Sequence, residues 1–263
     1  MQVSSDARTG ASTHDWLGLD GARVLVVGAG GIGASAVQGF IDVGAAVVLA
    51  DLDQSRLDSL QQQIGGDGAL STIQTDLTVR GAAGDVVGEA IGRLGGLDVV
   101  LHCVGINDRR PVLDFSDEEW DRVIDINLTT AFAIAKAAGR HMVAQGSGRI
   151  VLLSSVSGLL AHKNHAPYAA SKGGMNQMAR VMAAEWASSG VTVNMLAPGY
   201  IETPLTEAYL AKPGVRDDLE RLVPAGRLGV PSDVVDAALF LASTRASFIT
   251  GHVLYIDGGR TLV

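Results

Sequence analysis

Seven short runs of Val, Ile and Leu recur along the chain, and longer stretches with helical periodicity separate them. The runs are RVLVVG, AAVVLAD, ALSTIQTD, LDVVLHCVG, GRIVLLSS, VTVNMLAPG and HVLYIDGG. Near-continuous apolar strands that alternate with helices are typical of a parallel sheet covered on both faces. Because crossovers between parallel strands are right-handed, the pattern predicts an α/β, doubly wound fold with a mainly seven-stranded parallel sheet.

The domain organisation follows from where this alternation starts and stops. Residues 1–17 precede it and predict a flexible N-terminal segment, whereas 18–263 contain no Pro/Ser linker and predict a single domain. The alternation breaks at about 200–229, where a long, charged stretch predicts a lid-like insertion over a pocket. Three prolines interrupt that stretch: Pro204, Pro213 and Pro224.

The composition argues against several classes of protein. The formal charge of -8 does not fit a nucleic-acid-binding face, which needs clustered basic residues. No stretch approaches the ~20 apolar residues of a membrane span, and the first residues lack the apolar core of a secretion signal. With a single cysteine, which cannot form an internal disulfide, these features predict a cytoplasmic protein.

The stretch VVGAGGIGASA lies between the first strand and a predicted helix. Gly28, Gly30 and Gly33 in it satisfy G-x-G-x-x-G, the loop that lets a pyrophosphate approach the backbone at a helix N-terminus in a Rossmann fold. Asp51 closes the second strand about 20 residues later, where an acid binds the ribose 2′-hydroxyl. The alternative role of Asp51 is to cap the next helix, which Asp53 can also do.

The identity of residue 51 also predicts the cofactor. A carboxylate there repels a 2′-phosphate, and the glycine loop contains no Arg or Lys to attract one. The sequence therefore predicts NAD rather than NADP.

Tyr168 and Lys172 are four residues apart, which puts both side chains on one helix face. Pro167 marks the start of that helix. An ammonium beside a phenol favours the phenolate, so we expect Lys172 to lower the pKa of Tyr168 and make it a usable base. Alone, such a pair is commonly a helix surface pair, but here it follows a strand that ends at Ser154 and Ser155, at the sheet edge where α/β sites form.

The ordered set of motifs resembles the classical short-chain dehydrogenase/reductase family over residues 18–260. The resemblance implies an enzyme that interconverts a secondary alcohol and a ketone. Its motifs are the glycine loop, Asp76-Leu77, Asn127 in INL, Ser155, Tyr168 with Lys172, Pro198-Gly199 followed by Thr203, and Asp257-Gly258-Gly259.

The resemblance also implies roles for the matching residues. Ser155, thirteen residues before Tyr168, would hold the substrate oxygen, and Tyr168 would be the acid/base. Lys172 would hold the nicotinamide ribose, and Asn127 a water that links Lys172 to solvent, unless its side chain is satisfied locally.

The implied cofactor contacts are spread over four loops. Thr203 would touch the nicotinamide amide or the phosphates, and Asp76 the adenine edge. The remaining implied contacts are Gly28, Gly30, Gly31, Ile32, Gly33, Leu77, Gly105, Pro198, Gly199 and Ile201.

The chain departs from the family pattern twice. The family usually has T-G-x-x-x-G-x-G, whereas here Val27 replaces the threonine and only two residues separate Gly28 from Gly31. We expect the cofactor in the same place with altered contacts to its adenosine half. The other departure is HCVG at residues 102–105, where the family has N-N-A-G; we expect His102 to be a satisfied core residue that helps to join strands.

The substrate is indicated by the loop after the fourth strand. The segment that contains NDRRP resembles gluconate 5-dehydrogenase-like members, which act on sugar acids and polyols. At most one of Arg109 and Arg110 can face the pocket, and the alternative is that both are solvated charges. His162 and His165 lie in a stretch that lines the pocket in this family, so His165 is a further candidate; no clustered acid or nearby cysteine completes a metal site with them.

Three functions remain open at this point. The first is an NAD-dependent dehydrogenase of polyols, sugars or sugar acids. The second is a 3-oxoacyl carrier-protein reductase, a group that generally favours NADP, which Asp51 argues against. The third is a non-catalytic NAD-sensing protein. For any of them we expect a homo-oligomer, because the helices near Thr129 and Tyr168 are rich in Ala, Gly and Met, and the family resemblance implies a homotetramer.

Overall fold

The computed structural model describes residues 15–64 and 68–263. Its centre is a seven-stranded parallel sheet with the order β3-β2-β1-β4-β5-β6-β7, which confirms the predicted doubly wound Rossmann fold. The order reverses direction between β1 and β4, the switch point at which such sheets bind ligands. The strands are β1 (Arg23–Val27), β2 (Ala46–Asp51), β3 (Leu70–Gln74), β4 (Val99–His102), β5 (Gly148–Leu153), β6 (Val191–Pro198) and β7 (Val253–Ile256).

Helices cover both faces of the sheet and separate two apolar cores. Leu25 and Val27 of β1 point into one core, whereas Val24 and Val26 point into the other, as the two-residue period of a strand requires. The helices are α1 (Gly31–Asp42), α2 (Gln54–Ile64), α3 (Ala82–Leu94), α4 (Asp117–Ile124), α5 (Thr130–Gln145), α6 (Ala166–Trp186), α7 (Pro204–Leu210), α8 (Val215–Arg221) and α9 (Pro231–Ala242). In the part of the chain that the structure describes, none of them has the length and apolar character to cross a membrane.

The register of the central strands brings their carboxyl ends together. Val27 of β1 pairs with His102 of β4, and His102 pairs with Leu152 of β5. Since every strand is parallel, the loops that follow β1, β4, β5 and β6 leave the sheet at one edge. The glycine loop, Gly105 and Ser155 are therefore neighbours although they are far apart in sequence.

The predicted flexible segment needs a correction at its described end. Residues 1–14 lie outside the described residues, but the Asp15 carboxylate accepts hydrogen bonds from the N–H groups of Gly18 (2.8 Å) and Leu19 (3.0 Å). The Thr244 N–H donates to the Leu17 carbonyl at 3.0 Å. Residues 15–17 are thus packed onto the domain, because Leu17 is hydrogen-bonded to the turn after α9.

The segment 200–229 contains the two short helices α7 and α8. An isolated parallel bridge between Ile201 and Gly229 holds its two ends together. Pro204 occupies the first turn of α7, where a missing N–H costs nothing. The break in the strand–helix alternation therefore reflects a compact helical insertion that leaves and rejoins the domain at adjacent points.

Candidate active site

The glycine loop after β1 has the geometry of a phosphate cradle. Gly28 has φ 101°, a conformation that side chains rarely adopt. A Cβ on Gly33 would lie 1.8 Å from the Gly28 carbonyl oxygen, so only glycine permits the loop to close on α1. A Cβ on Gly30, by contrast, would meet nothing within 4 Å among the described residues. The first N–H groups of α1 thus face open space, which fits an anion at a helix N-terminus.

Hydrogen bonds to the Asp51 carboxylate hold this loop against the end of β2. Its Oδ2 accepts the Ala29 N–H at 2.6 Å, and its Oδ1 accepts the Asp53 N–H at 2.8 Å. The cap of α2 is Asp53 instead, whose Oδ1 accepts the Ser55 N–H at 2.9 Å. The carboxylate of Asp51 therefore lies at the rim of the glycine loop, where the ribose role places it.

Two further loops lie beside the cradle. The Asp76 carboxylate accepts the N–H (2.9 Å) and the hydroxyl (2.7 Å) of Thr78, and these bonds lower the pKa of Asp76. A Cβ on Gly31 would lie 2.9 Å from Pro204 Cδ and 3.1 Å from Thr203 Cβ, so the start of α7 packs against the glycine loop.

The other residues with implied cofactor contacts mostly have structural roles as well. Leu77 and Ile32 pack against the two cores, and Ile201 is buried. Pro198 ends β6, and the Gly199 N–H donates to the Ile256 carbonyl at 2.9 Å. All of them lie at the carboxyl edge of the sheet or in the first turn that follows it.

Ser155 and Ser154 are distinguished by their contacts. Ser155 Oγ accepts the Ser157 N–H at 3.1 Å at the start of a single 3₁₀ turn, which leaves its own proton available to a substrate oxygen. Ser155 also lines the large cavity described below. Ser154 is buried, and its Oγ donates to the Lys172 carbonyl at 3.5 Å. Ser155 is therefore the serine that faces the cavity.

The pKa values of Tyr168 and Lys172 are shaped by burial more than by their mutual contact. Lys172 is buried, and its Nζ donates to the Leu153 carbonyl at 2.7 Å and lies 5.6 Å from the Tyr168 ring centre. Burial lowers the pKa of Lys172 to about 8. Burial also raises the pKa of Tyr168, while the Ser155 side chain and the Arg109 guanidinium oppose that rise. The pKa of Tyr168 is therefore raised overall, in contrast to the lowered pKa that the sequence led us to expect, because the effect of burial is the largest.

Asn127 lies in a π-helical turn, Asp125–Thr129, between α4 and α5. Such turns occur frequently at functional sites. Its Oδ1 accepts the Ile106 N–H at 2.8 Å, and its Nδ2 donates to the Ile106 carbonyl (2.9 Å) and to Ser171 Oγ (3.1 Å). A Cβ on Gly105 would lie 3.3 Å from Asn127 Oδ1 and 3.5 Å from Lys172 Nζ. Asn127 thus adjoins Lys172. Its side chain binds Ile106 and Ser171, which lie 21 and 44 residues away in sequence, rather than groups of its own helix, and its water-holding role stays a prediction.

A cavity of about 1040 Å³ opens beside Tyr168. Arg109 lines it, and the Arg109 guanidinium carbon lies 3.7 Å from the ring centre of Tyr209, a residue of α7. Arg110 is not among the lining residues, and its guanidinium pairs with Asp108 at 2.6 Å and with Glu119 at 2.8 Å. The substrate role expected for Arg110 is therefore corrected, because its guanidinium does not line the cavity and its charge is already compensated by two acids that do, Asp108 and Glu119.

His165 lines the same cavity, with its ring centre 6.1 Å from that of Tyr168. Sequence reasoning missed Tyr200 and Tyr209, which form part of the cavity wall. The available signal was weak: both are aromatic residues within a charged insertion, and nothing in their spacing shows which of them turns inward.

His102 differs in part from the expectation. It is fully buried at the end of β4, and its Nε2 lies 3.1 Å from Thr130 Oγ1. Its Nδ1 has no hydrogen-bond partner within residues 15–64 and 68–263. Burial, together with the charge of Lys172, lowers the pKa of His102 to about 3. His102 is thus a core residue that is only half satisfied.

Comparisons with known proteins agree with this architecture. The family model described as Enoyl-(Acyl carrier protein) reductase matches residues 27–261. Gluconate 5-dehydrogenase of Gluconobacter oxydans is 38% identical over 253 residues, which cover 95% of this chain and 99% of that protein. Galactitol 2-dehydrogenase (L-tagatose-forming) of Cereibacter sphaeroides is 38% identical over 247 residues, 93% of this chain and 96% of that protein.

One solved structure is also informative. The crystal structure of a gluconate 5-dehydrogenase from Burkholderia cenocepacia, in complex with NADP and tartrate, has a TM-score of 0.91 to this chain at 35% identity. The match covers 96% of this chain and 100% of that one.

The burial of His102 leads us to expect that the folded protein loses stability at acid pH. Its folded pKa of about 3 lies below the ordinary value of 6.5, so between these values the unfolded chain binds the extra proton. The contribution of His102 to the free energy of unfolding is therefore complete above pH 6.5 and is lost as the pH falls toward 3. We expect His102→Asn to reduce the slope of unfolding free energy against pH by about 1.4 kcal/mol per pH unit below pH ~5.5.

Urea unfolding at several pH values between 4.5 and 7.5 measures this slope. His252→Gln is the control, because it removes an exposed histidine outside the cores. Equal slopes for the wild type and His102→Asn would contradict the prediction.

Proposed function

Because the chain belongs to the short-chain dehydrogenase/reductase family, it is an oxidoreductase that acts on CH–OH groups, and we propose that it is an NAD(H)-dependent dehydrogenase of a polyol, sugar or sugar acid. One observation carries the proposal: Ser155, Tyr168 and Arg109 line a single cavity beside the glycine loop's edge of the sheet. The relatives named above, a gluconate 5-dehydrogenase and a galactitol 2-dehydrogenase, support the same substrate class.

The cradle described above fits a dinucleotide, since it combines an open helix N-terminus with an acid at the rim. The glycine loop would hold the pyrophosphate, Asp51 the adenosine ribose, and Lys172 the nicotinamide ribose. When bound, the nicotinamide cofactor supplies the hydride acceptor or donor.

The protein's own part is to hold the substrate oxygen and move one proton. Ser155 Oγ already accepts a backbone N–H, so its hydroxyl proton can be donated to the substrate oxygen. In oxidation the phenolate of Tyr168 would receive the alcohol's proton, and in reduction the phenol would donate a proton to the substrate oxygen. Because burial raises the pKa of Tyr168, the phenol rests protonated, and oxidation accelerates as the pH rises.

Tyr168→Phe tests the proton carrier. We expect turnover to fall by about 10²–10⁴-fold, the usual contribution of general acid–base catalysis, while dinucleotide affinity changes little. The measurement is steady-state oxidation of a panel of polyols, sugar acids and secondary alcohols, together with a fluorescence titration of NAD.

Tyr255→Phe is the matched control, because Tyr255 in β7 does not line the cavity. A Tyr168→Phe enzyme that retained one third of the wild-type rate would refute the assignment. A wild type that binds NAD but turns over nothing in the panel would favour the NAD-sensing alternative.

The preference for NAD rests on Asp51. A carboxylate that already binds the Ala29 and Asp53 N–H groups is held at the loop rim and would repel a 2′-phosphate. The related Burkholderia structure contains NADP, so this preference requires a direct measurement in this chain.

Asp51→Asn removes the charge and keeps one acceptor oxygen for the loop. We measure the preference as the ratio of kcat/KM with NAD to kcat/KM with NADP. We expect this ratio to exceed one in the wild type and to fall at least about tenfold in the variant, since a charge-assisted hydrogen bond contributes about 1.5–3 kcal/mol. Asp53→Asn, which removes an equal charge two residues away, should leave the ratio unchanged; a wild type that prefers NADP would sink the proposal.

Arg109 is the proposed anchor for an anionic substrate. Its planar guanidinium can bind a carboxylate through two parallel hydrogen bonds, and stacking on Tyr209 holds it at the cavity wall.

Arg109→Ala should raise KM for gluconate by about tenfold or more, with a smaller change in kcat and a smaller effect on galactitol. Arg110→Ala is the matched control and should leave both KM values unchanged, because that guanidinium is paired with Asp108 and Glu119. Equal KM values for the two variants would remove the sugar-acid part of the proposal.

We also propose a homotetramer. Large apolar side chains are exposed on three helices that cover one side of the sheet: Trp120 on α4, Phe132 on α5 and Val181 on α6. Association would remove this apolar surface from water.

A further inference from the structure

We propose that His162 and His165 are specificity-determining residues that recognise hydroxyl groups close to the reacting carbon. The inference rests on the proposed function and deepens it, because it assigns the choice of substrate to a pair of neutral imidazoles.

The first observation is a set of unpartnered polar atoms on side chains that line the cavity. Both ring nitrogens of His165, Nε2 of His162 and Oδ1 of Asn107 are buried and have no hydrogen-bond partner in the described part of the chain. All three residues line the cavity next to Ser155 and Tyr168. Because buried polar atoms are nearly always paired, we infer that a substrate in the cavity supplies partners to these side chains.

The second observation is that both rings are held in place. His162 Nδ1 lies 3.0 Å from Ser157 Oγ, which leaves Nε2 as its free ring nitrogen. His165 immediately precedes α6, three residues before Tyr168, and its carbonyl accepts the Ala169 N–H at 2.7 Å. The two imidazole rings meet edge to face with centres 5.7 Å apart. Their positions relative to the catalytic phenol are therefore set by the start of one helix.

The third observation concerns charge. Burial and the nearby Arg109 lower the pKa of both histidines, that of His165 to about 4, and Arg260 adds to the effect on His162. Both imidazoles are neutral at physiological pH. A neutral imidazole offers one donor and one acceptor, which matches a hydroxyl, whereas a carboxylate only accepts. The cavity thus separates its tasks, with Arg109 for an anionic group and the histidines for hydroxyls.

We therefore expect an acyl or steroid chain to bind less well than a hydroxylated substrate. An apolar chain would leave the four unpartnered polar atoms without hydrogen bonds, whereas hydroxyl groups can supply them. Each hydrogen bond gained in this way strengthens binding by up to about tenfold. Sites built to bind a hydroxyl reject analogues that lack it by as much as about 10⁴–10⁵-fold.

The test uses three alcohols with the same four-carbon chain: 2-butanol, 2,3-butanediol and erythritol. We expect the wild-type kcat/KM to rise along this series. His165→Phe and His162→Phe keep a ring of similar size but remove the nitrogens, and should reduce the ratio for erythritol over 2-butanol by at least about 30-fold. His165→Gln retains a donor and an acceptor and should restore most of that ratio.

Circular dichroism and NAD titration show whether each variant is folded. If His165→Phe does not fold, His165→Leu is used in its place. If the wild type oxidises erythritol and the phenylalanine variants keep its ratio to 2-butanol, the inference is overturned while the proposed function stands. If the wild type oxidises no polyol, sugar acid or secondary alcohol of the panel with NAD or NADP, the proposed function fails and the inference fails with it.

Discussion

The parallel direction of all seven strands is the constraint on which the site depends. It forces the loops after β1, β4, β5 and β6 to leave the sheet at one edge, where the order of strands reverses. The glycine loop, Gly105 and Ser155 reach a common space by this route, although more than a hundred residues separate the first from the last. No local preference of those loops would bring them together without the sheet.

Burial is the second physical factor, and it acts on every ionisable group near the reacting centre. It lowers the pKa of Lys172 and His165 and raises that of Tyr168. Four cationic side chains line the cavity: Arg109, Arg122, Lys163 and Lys212. The arrangement therefore combines cationic side chains with a protonated phenol and neutral imidazoles, a chemistry that suits a hydroxylated substrate with an anionic group.

The insertion between β6 and α9 completes the cavity. Thr203 and Pro204 pack against Gly31 of the glycine loop, and Tyr209 stacks on Arg109 of the loop after β4. One segment therefore touches both the proposed cofactor side and the proposed substrate side. Its two ends meet at the bridge between Ile201 and Gly229, so the insertion leaves and rejoins the domain at one place.

The sequence by itself determined the seven strands, the parallel fold and the position of the glycine loop, because these depend on periodicity and on backbone requirements that few residues satisfy. It also placed Ser155, Tyr168 and Lys172 at one edge, since their spacing along a strand and a helix fixes their relation.

Only the tertiary structure decided which way individual side chains point and which of them burial neutralises. It separated Arg109 from its neighbour Arg110 through the acids on α4 and the loop before it, reversed the expected direction of the Tyr168 pKa, and left His102 with a single partner. These outcomes depend on groups distant in sequence and on exclusion of water, neither of which a local pattern records.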